Sequence, residues 1–119
     1  MSDLSDEILE RIAARLKAMG NPFRLKILHA LQGGELTVTE ILARVGGSQA
    51  NVSKHLALLA EAGLVLREAR GTSAYYRFAD PQVYELCDLV CGQVARSLED
   101  SAKLRKALDA MAARAIPKP

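Results

Sequence analysis

The order of elements between Leu36 and Phe78 constrains this chain more than any other feature. A short helical pattern, TVTEILARVGG from Thr37, sets Ile41, Leu42 and Val45 at helical spacing and ends on Gly46-Gly47. The next stretch, SQANVSKHLALLAEAGLV from Ser48 to Val65, reads as one helix with two faces. Val52, Leu56 and Leu59 recur at i, i+4 and i+7, which makes an apolar stripe. The front of the same helix carries Gln49, Asn51, Ser53, Lys54 and His55, side chains that reach base edges or phosphates. Gly63 supplies the left-handed residue that closes it. Leu64 to Arg67 and Ala74 to Phe78 follow as strand-like runs, with Arg70-Gly71-Thr72 as a basic hairpin tip between them.

Two helices around a tight glycine turn, the second polar at its front, are what a helix-turn-helix DNA reader needs. A basic hairpin directly after the reading helix is a wing, and Arg70 and Thr72 at its tip are placed to touch the flanking groove. Thr39, at the start of the shorter helix, is a candidate phosphate contact, and Thr37 a fair cap. The plainer alternative is a small α/β domain whose polar helix face is merely solvated, and it gives no reason for this order of elements.

Both flanks are helical in pattern. Ile8, Ile12, Leu16 and Met19 stripe a first helix over about 4–19, with Ser5 or Ser2 available as its cap. Asn21-Pro22 starts a second helix that runs to about Gln32, with Phe23, Ile27, Leu28 and Leu31 inward. After the hairpin, Asp80-Pro81 opens a helix over about 81–99. Its Val83, Cys87, Val90, Cys91, Val94 and Leu98 fall within an arc of about 100°. A last helical pattern covers about 101–115 through Leu104, Leu108 and Met111, and Pro117-Lys118-Pro119 is expected to fray. The helices over 4–19 and 81–99 flank the reading core (about 36–78) with stripes that find no partner in it. Pairing across a two-fold axis satisfies them, and a C2 homodimer sets two reading helices about 34–36 Å apart, the pitch of successive major grooves.

Composition narrows the classes further. The 119 residues make one domain over 1–119. The net charge of +2 does not by itself imply nucleic acid, and its distribution adds a little to the case. From Arg44 to Arg77 the chain carries Arg44, Lys54, Arg67, Arg70 and Arg77 against Glu61 and Glu68, while the first ten residues are acidic. No apolar run approaches a membrane span and MSDLSDEILE is not signal-like, so a cytoplasmic protein with no membrane partner is expected. There is no glycine-rich phosphate loop, Ser-His-Asp arrangement or HExxH, which argues against an enzyme.

The segments AMGNPFRLKILHAL, ELTVTEI, NVSKHLALLAEAGLV and RGTSAYYRFAD together resemble the ArsR/SmtB family of winged helix-turn-helix repressors, over roughly residues 10–100. The resemblance implies a mainly α fold with a small β-hairpin wing, dimerising through its N- and C-terminal helices. It also implies a repressor that binds double-stranded operator DNA and is released by an inducer.

Cys87 and Cys91 are the candidates for sensing. At i and i+4 they share a helical face with Cβ atoms roughly 5–6 Å apart. A disulfide wants about 3.5–4.5 Å, whereas a bridging soft ion or a polysulfide link spans the pair without unwinding a turn. No cofactor is required; the candidate inducers are As(III), Cd(II), Pb(II) or reactive sulfur species. If the stripe lies on the dimer axis, four thiols meet, enough for a tetrahedral site. The other reading is packing, since free cysteine is among the most buried residue types. A constitutive DNA-binding regulator then results.

The family's own sensor sites do not carry over. Thr37-Val38-Thr39 stands where metal-sensing members have Cys-Val-Cys. Asp80, Gln82, Gln93 and Arg96 stand where zinc sensors have Asp, His, His and Glu. His29 occupies the second-helix cysteine position of persulfide-sensing members. His29 therefore reads as a packed or solvated residue, and His55 as a phosphate or base contact.

Overall fold

Helix starts in this chain are written by capping side chains, and the computed structural model, which describes residues 3–98 and 101–114, shows four of them at work. The Asn21 side chain accepts from the backbone N–H of Phe23 and Arg24, opening α2 (Pro22–Leu31) with proline in its first turn. Thr37 and Glu40 form a reciprocal capping box at the start of α3 (Val38–Val45). Ser48 accepts from Asn51 N–H at 3.1 Å and opens α4 (Gln49–Glu61). Asp80 accepts from Gln82 N–H at 2.8 Å and opens α5 (Pro81–Ser97). α1 (Asp3–Met19) already includes Ser5, so Ser5 is not its cap; Ser2 lies outside the described residues.

α4 ends at Glu61, short of Val65, because Gly63 takes φ +79° and reverses the chain. Leu64 N–H bonds Leu59 C=O and Gly63 N–H bonds Ala60 C=O, both at 3.0 Å. This is a Schellman closure, with buried Leu64 beside buried Leu59. The hairpin strands β2 (Val65–Arg70) and β3 (Ser73–Phe78) run longer than their patterns implied, and Arg70 pairs with Ser73 across the two-residue loop Gly71-Thr72. A third strand, β1 (Leu36–Thr37), was not legible as one; it pairs antiparallel with β3 through Leu36–Tyr76 and Thr37–Tyr75, giving the order β1-β3-β2. A two-residue strand leaves no period-2 pattern to read.

The core gathers Ile27, Leu28 and Leu31 of α2, Ile41 of α3, Val52, Leu56 and Leu59 of α4, and Val65 and Tyr76 of the sheet. Burying each such aliphatic side chain is worth about 1.5–3 kcal/mol. The stripe foreseen on α4 is this core's central face, with all three of its residues at 0% exposure.

The flanking helices behave differently. On α1, Ile8, Ile12 and Leu16 are exposed, and no residue of α5 is buried. The α5 stripe divides: Val83 and Cys87 pack against the core, while Val90, Cys91 and Val94 face outward, and Leu89 beside them is 71% exposed. α6 (Ala102–Arg114) closes the described chain, held to α5 by Arg105 donating to the Ala95 carbonyl at 3.1 Å. Pro117 to Pro119 lie outside the described residues. Among the described residues no helix is long and apolar enough to cross a membrane.

Candidate nucleic-acid interface

Because the α4 stripe is buried, the residues between its members must face out. Gln49, Asn51, Ser53 and Lys54 are all exposed at the N-terminal end of α4. The uncompensated N–H groups of the first turn and the helix dipole favour anions at this end. Thr39, exposed in the first turn of α3, stands on the same helix-turn-helix unit.

His55 does not share that exposure. Its ring lies 5.1 Å from that of Phe23, tilted by 51°, and its Nδ1 is 3.3 Å from the Arg24 guanidinium. A guanidinium only donates, so Nδ1 must accept and the proton sits on Nε2. Burial, then the charges of Arg24 and Lys54, pushes the imidazole pKa below its usual 6.5. Neutral and packed against α2, His55 fixes how α4 sits on its support rather than presenting a charged contact. Arg24 also donates to the Ala18 carbonyl at the end of α1, so one side chain ties α1, α2 and α4 together. Sequence reasoning passed over Arg24, since a contact spanning 31 positions leaves no local pattern.

Arg70 is likewise not the free cation expected at the hairpin tip. Its guanidinium donates both Nη atoms to the Glu35 carboxylate, at 2.7 and 2.8 Å, and its Nε to Glu68 at 2.8 Å. It also lies 4.5 Å above the Tyr75 ring. Arg77 shares Glu68 at 2.9 Å. Hydrogen bonds from Arg70, then Arg77, hold the Glu68 carboxyl at about 2 against an ordinary 4.5. The Arg70 guanidinium is raised by the same bonds from Glu68 and Glu35. Arg70 therefore braces the wing against the residue before β1. Thr72 is exposed in the loop, and Arg67 on β2 is exposed with no carboxylate partner among the described residues.

The cysteine pair spans two environments. Cys87 is half-buried against the core and Cys91 is exposed one turn on. Desolvation, then the neighbouring Cys91, pushes the Cys87 thiol above its usual range. Asp80, the one acid retained at a zinc-sensor position, is engaged as the α5 cap. Among the described residues of one protomer no group of three or more His, Cys, Asp or Glu is placed to hold a metal ion, so a four-thiolate site requires both protomers.

A helix-turn-helix domain family model matches residues 19–68. The chain is 35% identical to the HTH-type transcriptional regulator NmtR of Mycobacterium tuberculosis over 71% of each chain. It is 31% identical to the arsenical resistance operon repressor of Bacillus subtilis, over 70% of this chain and 80% of that one. A homodimeric winged helix-turn-helix DNA-binding domain from Mycobacterium bovis superposes with a TM-score of 0.79 at 34% identity, covering 86% of this chain and 94% of that one.

Proposed function

The chain belongs to the ArsR/SmtB family of winged helix-turn-helix regulators, and we propose that a thiol-directed inducer acting at Cys87 and Cys91 releases it from its operator. The protein is a DNA-binding transcriptional repressor, not an enzyme, working as a homodimer on double-stranded operator DNA. The observation that carries the reading is the exposed polar front of α4, set over a buried stripe and capped by Ser48. Gln49 and Asn51 carry the amide geometry that reads adenine, while Ser53 and Lys54 suit phosphate. Thr39 and Thr72 contact backbone on either side. Since Arg70 is held by Glu35 and Glu68, Arg67 is the wing cation left for the flanking groove.

Sensing at the cysteines is supported by their i, i+4 spacing on α5, which leaves Cys91 exposed beside Val90 and Val94 one turn from half-buried Cys87. An arsenical resistance repressor among the relatives supports a soft ion as inducer. Binding at Cys87 must displace a proton that burial holds in place, so a strongly thiophilic species is favoured over a hard one. To switch the protein, the inducer must favour the released state by about 1–3 kcal/mol.

Gel shifts on operator DNA test both halves. Wild-type protein should bind duplex and be released by As(III), Cd(II), Pb(II) or a persulfide donor; the Cys87→Ser/Cys91→Ser variant should bind and resist release. Wild-type binding that no thiol-directed species disturbs, or equal release of the variant, refutes sensing at these cysteines.

A further inference from the structure

A cavity of about 700 Å³ opens between α2, the last turn of α3 and α6, and its wall includes neither the polar front of α4 nor the cysteine pair. Leu25, Val45 and Met111 give it an apolar lining; Lys26 and Arg44 give it two cations, and among the described residues no carboxylate lines it. Arg44 is steadied by donating to the Ala30 carbonyl at 3.4 Å. His29 completes the polar side, and its Nε2 is buried with no hydrogen-bond partner, the one such side-chain atom among the described residues. Sealed from solvent, that nitrogen lies out of a ligand's reach, so the polar partners the cavity offers are Lys26 and Arg44. The size falls within the range of small-molecule sites, about 300–1,000 Å³.

We propose that this cavity binds an amphipathic organic anion, a carboxylate carried on an apolar chain or ring. The carboxylate accepts from Arg44 and Lys26, and the tail lies against Leu25, Val45 and Met111. The site is independent of the cysteines and of the inducer they receive.

Isothermal titration of the full-length homodimer with sodium octanoate, and with 1-octanol as the uncharged comparator, tests this. Octanoate should bind once per protomer and about tenfold or more tighter than octanol, the scale of charge-assisted hydrogen bonds. Lys26→Gln/Arg44→Gln should weaken octanoate about tenfold while leaving octanol unchanged. Leu25→Asp, at a residue 45% exposed and so tolerant of change, should abolish both. Far-UV circular dichroism checks that each variant is folded. The Cys87→Ser/Cys91→Ser variant should bind octanoate as wild type does, which keeps this test separate from that of the thiol inducer. No octanoate binding, equal binding of octanol, or undiminished binding by the charge-neutralised variant overturns the proposal.

Discussion

Replacing Gly63 with alanine should destabilise the protein through the backbone at the end of α4, and the structure supplies the size of the effect. Gly63 sits at φ +79°, where an L side chain costs roughly 1–2 kcal/mol. An added Cβ would also fall 2.8 Å from Arg15 Nη2. That atom is the far end of a flexible side chain and swings away cheaply, so the backbone dominates. Per protomer, Gly63→Ala should therefore lose about 1–2 kcal/mol, a drop of several degrees in melting temperature. The chain contains no tryptophan, so urea titration followed by far-UV circular dichroism, at fixed protein concentration, is the suitable assay. Arg15→Ala/Gly63→Ala closes the cycle. If the backbone is the cause, removing Arg15 recovers nothing; a loss under about 0.5 kcal/mol, or full recovery in the double variant, refutes the reasoning.

Three further outcomes are expected. Lys54→Ala should weaken operator and non-specific duplex alike and lower the salt slope of binding by about 1, read by fluorescence anisotropy across ionic strength; an unchanged slope removes Lys54 from the phosphate contacts. Leu89→Glu should raise the dimer dissociation constant by roughly a hundredfold or more, since two leucines worth about 1.5–3 kcal/mol each leave the interface; sedimentation that still finds dimer at micromolar protein would remove Leu89 from it. The Glu68 carboxyl, lowered to about 2 from 4.5, stabilises the folded wing only while ionised. Its contribution is complete above about 4.5 and lost as pH falls through about 2, so thermal melts of wild type and Glu68→Gln should converge over that window. Parallel curves contradict this account of the wing.

The elements that local chemistry writes were legible beforehand. Asn21-Pro22, Thr37 and Asp80-Pro81 each announce a helix start and Gly63 a stop, while the Glu40 half of the capping box and the Ser48 cap went unread. The α4 stripe marked Val52, Leu56 and Leu59 as core because helical periodicity is a local property. What escaped were relations across the chain. Nothing beside Arg70 says that Glu35, 35 positions away in sequence, will take its guanidinium. Nothing around His55 signals Phe23 and Arg24 beneath it. Both residues looked like free contacts for the same reason: a polar side chain at an element's tip reads as available until the fold supplies its neighbour. The division of the α5 stripe is of this kind too, since one apolar arc serves the core through Val83 and Cys87 and leaves Val90 and Val94 outward.

Ile12 and Leu89 stand bare on a lone chain, 47% and 71% exposed. Where copy number keeps the chains mostly unassociated, operator occupancy climbs with the square of that number. In that regime halving the gene dose would cut occupancy about fourfold, and doubling it would raise occupancy about fourfold.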